Sequence, residues 1–309
     1  MIENPKTQRI RDPIHDIIVF REDDLLDMAA FDLLQTPDLQ RLRRIKQLGV
    51  SEFVYPAASH SRLAHSIGVF HNARRLIQII KREIELQRVQ GEFDSDRAKI
   101  AVTAALLHDI GHGPFSHAFE EARKSIALAQ GQTPKIKNHE KFTAEMIADG
   151  NGQIREILDR AKVDADEVAK LIAAEVPTDM YHAVVSSSFD ADRLDYLMRD
   201  RHATGVGSSA IDLEWLMDNV RVAEIDISPD DSGGGEVSTH SFCLTHKARD
   251  AAEDFLLARY RLYTNVYLHK VTRGIEQMIS SFFRETAIAA AEKRAIKGLP
   301  SDHPNRVFL

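Results

Sequence analysis

Seven of the chain's 14 histidines fall between residues 60 and 139: His60, His65, His71, His108, His112, His117 and His139. Taken singly, each is by default a surface or core residue. Their grouping changes that reading. The segment Leu106-Leu107-His108-Asp109-Ile110-Gly111-His112-Gly113 sets an imidazole beside a carboxylate at the end of an apolar run. Neutral imidazole and carboxylate together suit Mg, Mn, Fe or Zn. The partial negative charge at a helix C-terminus also favours a cation there, and glycines on both sides of His112 let the backbone approach a ligand closely. A further carboxylate can come from Ser188-Phe-Asp-Ala-Asp-Arg-Leu-Asp-Tyr-Leu-Met-Arg-Asp200. On a helix, Asp192, Tyr196 and Arg199 share one face, and Asp195 is spaced to pair with Arg199. Read alone, this stretch is an ordinary amphipathic, charge-laced surface helix. Spacing alone does not choose among His60, His65 and His71 as an upstream ligand.

Helices must position these groups, and most of the chain reads as helix. Leu39, Leu42, Ile45 and Leu48 recur every third residue, with Arg41, Arg43, Arg44 and Lys46 between them. Leu63, Ile67, Phe70, Ile77, Ile80 and Ile84 carry a helical period from about Ser61 to Leu86. Ser95 or Asp96 is placed to cap a helix through Ile100, Ala104 and Leu107, which Gly111, Gly113 and Pro114 end. Further helices are predicted from near His139, through Ile154–Leu158 and Glu167–Ala174, and over Phe189–Arg201. Lys247–Ala290 holds two long helices or a bent one. Only Val220–Ile227 and Ser238–Thr245 alternate as strands, around the turn-forming Pro229–Gly235. The expected fold is all-α, mainly helical, with a small β-hairpin inserted near 220–246. No Pro/Gly-rich linker divides residues 1–309, so one domain is expected. Its loop-like end, Gly298–Leu309, reads as part of a longer chain.

Composition narrows the class. With 309 residues, 43% of them hydrophobic and 28% charged, the chain is neither a disordered tail nor a fibre nor a disulfide scaffold. Its single cysteine, Cys243, excludes an intrachain disulfide and fits a reducing compartment. A net charge of -7 argues against a dedicated nucleic-acid binder but permits a local basic pocket. Met1–Arg11 lacks the apolar stretch of a signal peptide. The longest apolar run, Ile100–Leu107, is too short to span a bilayer. A cytoplasmic protein without a membrane partner is expected.

Six blocks give the chain a family likeness over about Asp12 to Lys270: Arg11-Asp-Pro-Ile-His15, Gln40-Arg-Leu-Arg-Arg-Ile-Lys-Gln-Leu-Gly49, Ser59-His-Ser-Arg-Leu-Ala-His-Ser66, His108-Asp-Ile-Gly-His-Gly-Pro-Phe-Ser-His117, Asp192-Arg-Leu-Asp-Tyr-Leu-Met-Arg-Asp200 and Tyr267-Leu-His-Lys270. In these the chain resembles HD-domain phosphohydrolases of the deoxynucleoside triphosphate triphosphohydrolase type. The resemblance implies an HD core at about 45–200, the hairpin insert at about 220–246 and C-terminal helices over 247–295. It implies a divalent ion, Mg or Mn first, with Fe, Zn or Ni as alternatives, held by His65, His108, Asp109 and Asp192. The implied reaction is attack on the α-phosphorus of a nucleotide, releasing nucleoside and triphosphate. His112 and His117 would transfer protons and stabilise charge, and His139 is a further pocket histidine.

By the same likeness, Gln47 and Leu48 contact the deoxyribose and Tyr196 lies beside the sugar. Asp200 accepts from the 3′-hydroxyl, Arg62, Arg193 and Arg259 contact phosphate, and Tyr267 completes the pocket. A homo-oligomer, dimer or tetramer, is implied as well, with the basic segment Arg41–Lys46 near a subunit contact or effector pocket. The chain also departs from the family pattern. Gln35 stands where a carboxylate reads guanine at a nucleotide-effector site, although Gln40 and Arg43 fit that site. Leu268 replaces a polar pocket residue, and Tyr263 replaces a histidine. Two other functions compete. One is HD-type hydrolysis of a different nucleotide. The other is a non-catalytic nucleotide- or nucleic-acid-binding module, for which the basic residues of Arg41–Lys46 speak. Gly205-Val-Gly207-Ser-Ser-Ala210 fits a loose dinucleotide fingerprint, but it follows a helix rather than a strand.

Overall fold

The computed structural model describes residues 7–129, 138–174, 176–207, 211–226 and 238–291. Helix α3, Arg62–Glu85, runs through the centre. Ser61 caps it by accepting from Ala64 N, and Leu63, Ile67, Phe70, Ile77 and Ile80 face the core as their spacing requires. Helix α4, Ser95–Leu107, packs beside it. Its cap is Asp94, one residue before the two candidates read from sequence: the Asp94 carboxylate accepts from Asp96 N at 2.9 Å and Arg97 N at 3.0 Å. Helices α5 (His117–Ala129), α6 (His139–Ala148), α7 (Gln153–Arg160), α8 (Ala165–Ala173) and α9 (Ala191–Thr204) follow. Gly205 ends α9 with a left-handed φ of 70°, which explains the first glycine of the false dinucleotide fingerprint as a helix terminator.

The 39–48 stretch is not one helix. Helix α2 covers only Pro37–Gln40, a 3₁₀ turn continues over Arg41–Arg44, and Lys46 then pairs as an isolated bridge with Ser61. A spacing of three residues is the period of a 3₁₀ turn, and Leu39, Leu42 and Ile45 are buried on that register.

Strands β3 (Val220–Asp226) and β4 (Ser238–Leu244) form the expected antiparallel hairpin, with Val220 opposite Leu244 and Asp226 opposite Ser238. The expected turn Pro229–Gly235 lies outside the described residues, as does Gly298–Leu309. Three elements are additional to the sequence reading. A second hairpin joins β1 (Thr7–Asp12) to β2 (Asp16–Arg21), α1 covers Leu25–Gln35 and α10 covers Leu213–Asn219. The C-terminal region resolves into two helices, α11 (Arg249–Leu262) and α12 (Lys270–Ala291), joined through a π-helical turn at Tyr263–Tyr267. Among the described residues, no helix is long and apolar enough to cross a membrane.

The contact between α3 and α9 positions the site. Asp195, Arg199 and Asp200 on α9 are at most 2% exposed, so this helix is not the solvated surface helix that its charges suggest. The two helices approach closely at Gly68, where a Cβ would lie 1.8 Å from Asp195 Oδ1 and 2.5 Å from Arg199 Nη2. Those atoms are buried and held by several partners, so they cannot swing away. Gly68→Ala should therefore destabilise the protein by roughly 2–4 kcal/mol, through overpacking and a disturbed buried ion pair. Urea unfolding measures this, and an unchanged midpoint would show that α9 tolerates the methyl group.

Candidate active site

Three helix ends bring four donors together. His65 lies in the first turns of α3, His108 caps the end of α4 with Asp109 just beyond, and Asp192 lies in the first turn of α9. Ligand atoms of His65, His108 and Asp109 all fall within 4.8 Å of one another. Asp192 Oδ1 is 3.0 Å from His65 Nε2 and 3.9 Å from His108 Nε2, and Asp109 Oδ1 is 3.4 Å from His108 Nε2. The other ring nitrogens are committed elsewhere. His108 Nδ1 donates to Ala105 O at 2.9 Å, and His65 Nδ1 donates to Asp195 Oδ2 at 2.7 Å. Both imidazoles thus present Nε2 to a shared centre alongside two carboxylates, a donor set that fits a divalent cation. His60 and His71 lie elsewhere: His60 bonds Asp200, and the His71 ring packs 5.0 Å from that of His15.

Asp195 makes the ion pair with Arg199 that its spacing offers, but its histidine partners were hidden in the sequence. Its Oδ1 accepts from His15 Nε2 at 2.7 Å and Arg199 Nη2 at 2.8 Å. Its Oδ2 accepts from His65 Nδ1 and from Arg199 Nε at 2.8 Å. Arg199 Nη1 continues to Asp12 Oδ2 at 2.9 Å, and Asp12 Oδ1 accepts from the backbone of Ile14 and His15. Burial alone would raise the Asp195 pKa. The Arg199 charge and the hydrogen bonds from His15 and His65 outweigh it and hold the carboxyl well below its usual range. The block Arg11–His15 was a sequence signal for this network, but not for its partner 180 positions away.

The loop after α4 forms the other wall. Arg62 Nη1 donates to Asp109 Oδ2 at 2.6 Å, and Arg62 Nε to Ser116 Oγ at 3.0 Å. Asp109 is held well below the carboxylate range because Arg62, His108 and His112 outweigh its burial. His112 Nε2 lies 3.2 Å from Asp109 Oδ1, and its ring stacks on His139 with centroids 3.8 Å apart. Burial and the Arg62 charge push His112 down to about 3, so it is neutral at pH 7. Burial also acts against protonated His139, but a 3.1 Å hydrogen bond to Glu120 and nearby carboxylates raise it. The two stacked imidazoles thus shift in opposite directions. The His117 side chain lies outside the described residues; its backbone opens α5.

A cavity of about 680 Å³ joins these groups. Every other catalytic, metal or substrate residue implied by the family likeness lines it: the metal-type donors, His112, His139, Gln47, Leu48, Arg62, Arg193, Tyr196, Asp200, Arg259 and Tyr267, whereas the effector-type residues Gln35, Gln40 and Arg43 do not. Asp200 is fixed at one end, accepting from His60 Nε2 at 2.8 Å and the Tyr267 hydroxyl at 2.7 Å, with the Tyr196 and Tyr267 rings edge to face. Gln47 Oε1 is buried without a partner among the described residues. Two arginines have other engagements: Arg62 on Asp109, and Arg193 on Asp190. Arg259 lies over the Tyr263 ring.

Residues 62–199 match the HD domain, and residues 236–297 match the HD associated region. The chain is an HD-domain protein. It is 34% identical over 271 residues to the uncharacterised protein YwfO of Bacillus subtilis, covering 87% of this chain and 54% of YwfO. It is also 34% identical over 267 residues to the deoxynucleoside triphosphate triphosphohydrolase SAMHD1 homolog of Dictyostelium discoideum, covering 82% of this chain and 46% of that protein. The chain therefore spans about half the length of these relatives. A crystal structure of a phosphohydrolase from Bacteroides thetaiotaomicron superposes with a TM-score of 0.71 at 30% identity, over 94% of this chain and 62% of the other.

Two outcomes follow from the Asp195 network. Asp195→Asn should weaken divalent-ion binding by about 10- to 100-fold, because an outer partner orients His65. Calorimetric titration with Mn measures this, and unchanged affinity would remove Asp195 from the metal account. Asp109 and Asp195 both have lowered folded-state pKa values, so their contribution to stability is present above the unfolded carboxyl value of about 4 and is lost as pH falls below it. Denaturant unfolding from pH 6 to pH 3 should show that decline, and stability independent of pH across the range would contradict it.

Proposed function

We propose that this protein is a metal-dependent dNTP triphosphohydrolase, converting a deoxynucleoside triphosphate into deoxynucleoside and triphosphate. One observation carries the reading. A single cavity contains, at one end, the four-donor cluster and, at the other, a polar and aromatic group fit for a sugar, with an unpartnered amide oxygen on Gln47. That oxygen needs a donor such as a hydroxyl, since a buried polar group without a partner is unfavourable.

In this reading His65, His108, Asp109 and Asp192 hold a divalent ion, Mg or Mn first, with Fe, Zn and Ni within the same donor chemistry. Such an ion, when bound, lowers the pKa of a water and polarises a phosphoryl oxygen. His112 and His117 transfer protons and stabilise charge, and His139 packs against His112 as a further pocket histidine. Arg62 orients Asp109 and adds positive charge beside the reacting phosphate. Arg193 and Arg259 meet the phosphate tail. Asp200 and Gln47 take the 3′-hydroxyl, while Leu48, Tyr196 and Tyr267 wall the sugar so tightly that a 2′-hydroxyl is rejected. The unit is one HD domain, cytoplasmic and assembled as a homo-oligomer. Gln35, unlike a carboxylate, makes GTP dispensable as an effector at the Gln40 and Arg43 turn. A second reading, hydrolysis of a nucleotide with fewer phosphates, is favoured by the commitment of Arg62 and Arg193 to carboxylates.

The test is incubation of the purified protein with each dNTP and rNTP plus Mg or Mn, followed by chromatography. Free triphosphate from dNTPs is the expected product, absent in His108→Ala with the circular dichroism spectrum unchanged. No triphosphate from any dNTP would overturn the first reading, and orthophosphate released from a nucleoside mono- or diphosphate in the same assay would support the second.

A further inference from the structure

The loop that carries Asp109 and His112 is braced from two sides. On one side Thr143 of α6 donates its hydroxyl to His108 O at 2.9 Å and accepts from Gly111 N at 2.9 Å. On the other side Arg41, from the 3₁₀ turn after α2, donates Nη1 to His112 O at 2.6 Å and Nη2 to Ile110 O. Arg41 is well placed to stay there, because Leu39 and Leu42 beside it are fully buried. The guanidinium is half-buried, and among the described residues no carboxylate lies within ion-pairing distance of it. Burial lowers its pKa, with the charge of Asp38 acting the other way. A cation taken out of water needs acceptors, and here those acceptors are loop carbonyls just past the negative end of the α4 dipole.

The loop needs such a brace. Glycines flank His112, and a Cβ at Gly111 would lie 2.2 Å from His139 O, so the loop lies against α6 with no side chain of its own there to lock it. Phe115 and Ser116, just beyond, sit at left-handed φ values of 59° and 48°, which non-glycine residues adopt only when held. Thr143 fixes the start of the loop, and Arg41 holds the carbonyl of His112.

We propose that Arg41 is a positioning residue for the hydrolytic step: by bonding the carbonyls of Ile110 and His112, it sets the orientation of the His112 ring toward Asp109 and the reacting phosphate. The proposal rests on the reading of His112 as a proton-transfer group. A lysine cannot serve two divergent carbonyls with the planar geometry of a guanidinium. Arg41 also differs from Arg62, which bonds a carboxylate inside the cavity: Arg41 acts from behind the loop and is not among the residues lining the cavity.

Arg41→Met, Arg41→Lys and Arg41→Ala test this, each with bound Mg. The first readout does not depend on turnover: the imidazole signals of His112 in ¹⁵N-histidine-labelled protein, assigned by comparison with His112→Gln. Arg41→Met should shift or broaden the His112 ring signals and leave those of His65 unmoved. The second readout is kinetic. In Arg41→Met and Arg41→Lys, kcat for triphosphate release should fall by about 10- to 100-fold, as expected for a misplaced catalytic group. KM and Mg affinity should stay near the parent values. Millimolar guanidinium should restore part of kcat in Arg41→Ala and none in His112→Ala. Unmoved His112 signals in Arg41→Met would overturn the proposal, whatever the kinetics. So would a folded Arg41→Met with full kcat, or a loss that follows only from unfolding and that guanidinium does not relieve. Absence of turnover in the parent protein would instead refute the functional reading, and the ring signals would still decide the role of Arg41.

Discussion

Asp195 is a fully buried carboxylate that collects four donors, two from Arg199 and one each from His15 and His65. In that position a charge is tolerable only because every lone pair is met and a guanidinium lies against it. Much of the structure serves that condition. Gly68 lets α9 come close enough to α3 for the carboxylate to reach His65. The β1–β2 hairpin brings Asp12 and His15 over the far side, where Asp12 neutralises the outer edge of Arg199. The reward is orientation: with Nδ1 held, His65 can offer only Nε2 to the centre.

The opposite wall uses the same logic with other partners. Arg62 compensates Asp109, while burial first and the same arginine's charge second push the pKa of neighbouring His112 down. Asp109 thus stays a charged carboxylate beside an uncharged imidazole. The stacked His139 responds to Glu120 instead and shifts the other way. The loop that carries His112 has its backbone carbonyls tied to Thr143 and Arg41. At the far end of the cavity His60 and Tyr267 hold Asp200, so that carboxylate too is oriented by its neighbours.

Much of this was legible in the sequence, for physical reasons that also mark where legibility stopped. Long amphipathic segments such as α3 and the alternating strands β3 and β4 declared themselves through periodicity. The β1–β2 hairpin did not, because β1 is mostly polar and β2 shows no alternation: Ile18 and Phe20 point into the core, but Ile17 and Val19 on the opposite face are apolar too. The three-residue spacing of Leu39, Leu42 and Ile45 suggested a helix but marks a 3₁₀ turn. Asp195 and Arg199 have the spacing of a surface ion pair, and no local pattern distinguishes that from a buried pair reaching across to another helix. Spacing does not separate His65 from His60 and His71, since all three lie on or beside the same helix, and only the family likeness singles it out. The commitment of Arg62 and Arg193 to Asp109 and Asp190 could be seen only in three dimensions.

The central claim is that α3, the end of α4 and the start of α9 together build one cation site, oriented by Asp195. Anomalous scattering from crystals grown with Mn addresses it most directly. The account predicts one strong peak bounded by His65 Nε2, His108 Nε2, Asp109 and Asp192, at about 2.0–2.6 Å from the donors. Asp109 also groups with His112 and His139 closely enough to hold an ion. A peak there, with none beside His65 and Asp192, would contradict the account.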